Sequence, residues 1–204
     1  GESVLIKNNM DIDKNWQEVM KELGSVGKQG ISDLLIWLDT SDFKTAPAST
    51  KFHLSVKGGL AQHSLNVLKF ARLINKELEL PLDDTKIVTS SLLHDICKVN
   101  FYVEGEIWDK KWKDEHNEWR KMKVWVVQDQ QPLGHGEKSA IIAARFLELT
   151  TDELVAIRYH MLAWDISESQ KYTLRDAIEK YPLLKVVAIA DQMAELYETK
   201  METT

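Results

Sequence analysis

The chain reads as a mainly α protein, a bundle of helices interrupted by a small antiparallel β-ribbon at about residues 99–127. Three observations predict this. Apolar residues recur at helical spacing over most of the 204 residues. One internal stretch alone switches to β-branched and aromatic residues. A hydrophobic content of 44%, with no Pro/Gly/Ser-rich linker, supports one substantial core. The expected organisation is a single domain over residues 1–204, with helices of 1–45 packed on the core and residues 99–131 inserted as the ribbon.

Residues 16–23 and 31–38 have the pattern of short amphipathic helices, and a loop containing Pro47 follows. The next helix carries His63 and extends to Leu80-Pro81; Val67, Phe70 and Ile74 share its apolar face, which turns His63 inward. Residues 87–97 read as a helix capped by Asp83 or Asp84, with Ile87, Ser91, His94, Asp95 and Lys98 along one side. Residues 99–108 and 119–127 are the two strands, and Glu104-Gly105 is the expected turn. The ribbon's ends, at Lys98 and Pro132, lie beside candidate site residues, which suits a cover over a site or a dimer contact; the competing expectation is a surface hairpin whose tryptophans shield the core. Helices at 136–147, 152–161, 173–179 and 182–199 complete the chain, with Thr150-x-x-Glu153 and Thr173-x-x-Asp176 resembling capped starts. In the last helix Leu184, Val187, Ala188 and Asp191 share a face, where an ionised carboxylate needs a cation or hydrogen bonds to offset its desolvation.

His63, the pair His94-Asp95, His135, His160 and Asp191 form an ordered series H…HD…H…H…D. Imidazole nitrogen and carboxylate oxygen suit Mn, Fe, Co, Ni or Zn, and one carboxylate can place an oxygen on each of two ions. The run Gly58-Gly59-Leu60-Ala61-Gln62-His63, then His94-Asp95-Ile96-Cys97-Lys98, then Ala190-Asp191 resembles the H…HD…D signature of the HD-domain phosphohydrolase superfamily over roughly residues 50–195. The resemblance implies a helical bundle holding one metal through His63, His94, Asp95 and Asp191, and His135 and His160 match the further histidines of binuclear members, in which the counterpart of Asp95 bridges the ions. It also implies a phosphate-contacting lysine at Lys98. An alternative role for His135 is contact with substrate phosphate at a helix start.

These readings lead to a metal-dependent phosphohydrolase with two divalent ions (Mn, Fe, Co, Ni, Zn or Mg), cleaving a phosphoester by attack of metal-bound hydroxide. Asp95 and Lys98 are the catalytic candidates; Lys98, Lys138, Ser139, Arg158 and His53 are the substrate-binding candidates. The net charge of −6 favours a small phosphorylated substrate such as a nucleotide over long nucleic acid. The most basic segment, residues 109–123, mixes Lys and Trp with acidic residues and reads as a solvated loop that includes His116. Three alternatives stand beside the hydrolase: a di-iron oxygenase, because myo-inositol oxygenase shares the ligand order; a 3′-to-5′ exoribonuclease-like nuclease, which the Gly58-Gly59-x-x-x-His63 region resembles; and a noncatalytic nucleotide-binding module. The single cysteine, Cys97, fits a reducing compartment and a cytoplasmic location, no stretch is long enough to span a bilayer, and the Trp-rich ribbon suits a homodimer.

Overall fold

The computed structural model describes residues 10–203. Among them nine α-helices and one two-stranded sheet follow in the order α1 (Ile12–Gly24), α2 (Ile31–Thr40), α3 (Gly59–Glu77), α4 (Asp84–Leu93), β1 (Tyr102–Trp108), α5 (Lys110–His116), β2 (Lys121–Val127), α6 (His135–Phe146), α7 (Thr151–Arg158), α8 (Lys171–Lys180) and α9 (Pro182–Thr203). The protein is mainly α, as its periodicity predicts. The first nine residues of the N-terminal segment lie outside the described residues.

Helices α3 and α9 run side by side, α4 packs on α3, and α7 packs on both α4 and α9. Helix α6 joins α7 and the short 3-10 turn Ile96–Lys98 that follows α4, while α1 covers α3 and α4. Leu60, Val67, Ala71, Ile87, Leu93, Ile157, Leu184 and Val187 fill the space between these helices. The Thr150/Glu153 capping box forms as its spacing predicts, and Lys28 adds an ion pair of 2.8 Å to the buried Glu153.

Several expected boundaries move, and each shift has a local cause. Helix α3 stops at Glu77, short of Leu80-Pro81, because Leu78 caps it and Glu79 turns to a φ of 51°. The helix expected over 87–97 ends at Leu93; the His94 ring takes the Ser91 carbonyl at 2.6 Å, and Asp95 leaves helical geometry at φ −109°, ψ 19°. The helix expected to reach Met161 ends at Arg158 by the same device, with the His160 ring on the Ile157 carbonyl at 2.8 Å. Thr173 caps nothing, since α8 already starts at Lys171 and the box before it is Ser167 with Gln170.

The ribbon pairs Tyr102 with Val127 through to Trp108 with Lys121. Glu104-Gly105 is therefore mid-strand, opposite Trp125 and Val124, and the connection is the short helix α5, capped by Asp109. Gly105 serves cross-strand packing, because a Cβ there would lie 2.6 Å from Cγ2 of Val126. His116 belongs to α5 and stacks on Trp112, with ring centroids 3.5 Å apart. Trp108 and Trp119 are 58% and 53% exposed, so they do not shield the core.

Candidate metal centre

Each ligand candidate comes from a different part of the bundle. His63 lies on α3 and Asp191 on α9, two helices packed side by side. His94 and Asp95 end α4, His135 opens α6, and His160 follows α7. The α6 start reaches the α7 end through Gly136: a Cβ at this position would lie 1.9 Å from the Arg158 carbonyl oxygen, so only glycine lets the two backbones meet there. His63, His94, Asp95, His160 and Asp191 are all buried.

Two groups of ligand atoms share one carboxylate. On one side, His63 Nε2 lies 2.9 Å from Asp191 Oδ1, 3.2 Å from His94 Nε2 and 3.4 Å from Asp95 Oδ2. His94 Nε2 lies 3.4 Å from the same Asp95 oxygen and 3.6 Å from Asp191 Oδ1. On the other side, Asp95 Oδ1 lies 2.9 Å from His135 Nε2 and 3.3 Å from His160 Nε2, and these two nitrogens are 3.3 Å apart. A divalent ion with bonds of about 2.0–2.2 Å separates neighbouring ligands by roughly 2.9–3.6 Å. Both groups have that spacing. Asp95 presents one oxygen to each, the arrangement that joins two ions through a carboxylate.

The ring tautomers point the same way. His94 and His160 each place Nδ1 on a backbone carbonyl, which only accepts hydrogen bonds, so Nδ1 carries the proton and Nε2 of the neutral ring is bare. His63 does likewise through Glu198, whose two carboxylate oxygens lie 2.5 and 3.1 Å from Nδ1. Bare nitrogens and carboxylate oxygens facing each other at these distances repel unless a cation or protons lie between them. Asp191 Oδ1 is buried with the His63 and His94 Nε2 atoms 2.9 and 3.6 Å away, a position that suits a ligand atom. The two groups thus fit divalent cations.

Without a cation, protons fill that role. Burial opposes charge on both carboxyls, yet Asp95 is held well below the usual carboxylate range by the charges of Lys98 and His94, and Asp191 by hydrogen bonds from His63 and His94. Burial also opposes charge on His63, but the Asp191 and Glu198 hydrogen bonds raise it to about 9. His135 rises to about 10 because its bond to Asp95 outweighs burial, whereas burial prevails at His160 and lowers it.

The remaining candidates divide into two sets. Lys98 reaches the site: its ammonium lies 3.1 Å from Asp95 Oδ2 and donates to the Ala48 carbonyl at 2.6 Å. His53 packs on the His63 ring at 4.8 Å between centroids, its Nε2 is buried without a partner, and burial followed by the His63 charge lowers it to about 4. Lys138 instead pairs with Asp129 at 2.8 Å beside the Phe101 ring, tying the base of the ribbon to α6. The buried Ser139 hydroxyl accepts the Cys97 amide at 3.1 Å. Arg158 is held by Glu137 at 2.6 Å and by Asp165.

Glu198 is the member of this cluster that sequence reasoning misses, through its contact with His63. The signal was present, because Asp191, Glu195 and Glu198 follow one another on the helical repeat and so share the α9 face turned to α3.

The family model described as HD domain matches residues 60–196. The comparisons with curated proteins and with solved structures returned no match.

Proposed function

Because the chain belongs to the HD domain family, whose members are generally metal-dependent phosphohydrolases, we propose that it hydrolyses a phosphoester of a nucleotide or another small phosphorylated substrate at a binuclear metal centre. The observation that carries this reading is the Asp95 carboxylate, with one oxygen facing His63 and His94 and the other facing His135 and His160. When bound, the divalent ions supply a water of lowered pKa and charge stabilisation for the phosphoryl group in flight.

The residues of the chain do the rest. Asp95 would hold both ions, and Glu198, the Ser91 carbonyl and the Ile157 carbonyl hold three imidazoles with their Nε2 atoms inward, where they would serve as ligands. Lys98 sits against Asp95, and once that carboxylate is neutralised its ammonium is available to a phosphate oxygen. His53 offers an unpaired Nε2 beside His63 as a second contact to substrate. Lys138, Ser139 and Arg158 engage residues outside the ligand set, whereas Lys98 engages Asp95 and His53 packs on His63, so they rank behind these two. Among the described residues no helix is long and apolar enough to cross a membrane.

The test is phosphate release from a panel of nucleotides and small phosphoesters, with the metal-stripped chain reloaded separately with Mn, Fe, Co, Ni and Zn. Release that depends on a loaded metal, stops with chelator and proceeds without oxygen is expected. Oxygen consumption by the iron form with no phosphate release from any form would instead identify an oxygenase.

A further inference from the structure

On the binuclear reading above, we propose that Cys97 is the positioning residue of His135, and that the ion held by Asp95 Oδ1, His135 and His160 is the exchangeable one of the pair. The four coordinating imidazoles are not held alike. His63, His94 and His160 each aim Nδ1 at an oxygen, with closest approaches of 2.5, 2.6 and 2.8 Å. Their side chains are 1%, 0% and 1% exposed, whereas that of His135 is 26% exposed. Among the described residues no oxygen takes up the His135 Nδ1. Its neighbour is Cys97 Sγ, 3.4 Å from Nδ1 and 3.8 Å from Nε2.

A sulfur almost equally far from both ring nitrogens lies over the ring face, not in line with the N–H, so this is a packing contact and not a directed hydrogen bond. The sulfur is also nearer Nδ1 than the coordinating Nε2, so although it lies close to Asp95 and His135 together, it sits behind the ligand edge of the ring and against its face. Sulfur against an aromatic ring is favourable but soft and tolerant of small rotations. His135 is therefore oriented by its place at the start of α6 and by the buried thiol against its face. The groups on the two sides of Asp95 differ in number as well: His63, His94 and Asp191 lie within 3.6 Å of one another beside Oδ2, and His135 and His160 lie within 3.3 Å of Oδ1. Fewer ligands, one of them loosely held and partly exposed, make the second position the one that loads last and empties first.

The experiment is a calorimetric titration of the metal-stripped full chain with Mn(II), repeated with Co(II) to follow the visible absorption of each step, for wild type, Cys97→Ala and Cys97→Ser. Wild type is expected to bind in two steps of unequal affinity. Replacing a group that orients a ligand typically costs ten- to a hundredfold in metal affinity, and for this soft contact the low end, about tenfold, is expected at the second step of Cys97→Ala. The first step should stay within about threefold, because its ligands are held independently of Cys97. Cys97→Ser, with a smaller polar atom over the ring, should fall between the two, and it provides the same comparison if the alanine variant does not fold. A second step unchanged in both variants, or both steps weakened in parallel, would overturn the role of Cys97 while leaving the binuclear centre standing. A wild-type chain that accepts one ion only would overturn both.

Discussion

Replacing Glu198 tests whether the His63 group is a metal site built by its surroundings. Glu198 is fully buried, and both of its oxygens are within hydrogen-bond reach of His63 Nδ1. In Glu198→Ala that N–H has no acceptor, a loss of about 1–3 kcal/mol for a buried donor. Measured losses for removing the partner of a metal-bound histidine, ten- to a hundredfold in affinity, correspond to about 1.4–2.7 kcal/mol, so the two routes agree. The tighter ion should therefore bind ten- to a hundredfold more weakly. The ion next to His135 and His160, which Glu198 does not touch, should change by less than about threefold. Glu198→Gln keeps an acceptor oxygen but loses the charge, and because charge-assisted bonds are roughly twice as strong as neutral ones, about half the loss in free energy is expected. Manganese binding followed by electron paramagnetic resonance, in competition with a chelator of known affinity, reads both steps. A Glu198→Ala chain that holds the tighter ion as wild type does would refute the assignment of His63 as a ligand oriented by this carboxylate.

Three further outcomes are expected. In the metal-free chain His63 and His135 titrate at about 9 and 10, so at neutral pH both carry protons that metal must displace. Metal binding at pH 7 should thus release protons, with affinity rising as pH approaches 9 to 10; calorimetry in buffers of different ionisation enthalpy counts them, and a proton-neutral signal would contradict the assignment. Because both pKa values are raised above the unfolded value near 6.5, the stability these pairs give the metal-free chain is fully present below pH 6.5 and lost as pH rises through about 9 to 10, which thermal melts across that range will detect. Gly136→Ala drives a Cβ against the Arg158 carbonyl and should cost about 1–3 kcal/mol of stability, roughly 2–12 °C in Tm. The same variant should lose the His135/His160 ion before the other, and equal loss of both would argue against separate sites.

The helical periodicity of the sequence was enough to predict the bundle, the inward face of α3 and the apolar surroundings of Asp191, because burial of one helical stripe leaves a regular mark. The six ligand candidates converge for the same reason. Less visible were the interruptions that aim them. His94 and His160 both end their helices by turning a ring nitrogen onto the carbonyl of the residue one turn back, an event of side-chain geometry that periodicity does not encode. Gly105 suggests a turn because glycine commonly marks one, yet here it is needed for contact with Val126 across the strands. Charge and position alone mark Lys138 and Arg158 as anion binders; the acidic residues that engage them, Asp129, Glu137 and Asp165, come together only in the folded chain.

The binuclear centre bridged by Asp95 is tested most directly by plasma mass spectrometry, on wild type, His160→Ala and Asp95→Ala purified without a metal-affinity column or chelator. The geometry predicts about two ions per wild-type chain, about one in His160→Ala and close to none in Asp95→Ala. Full metal content in both variants would contradict it.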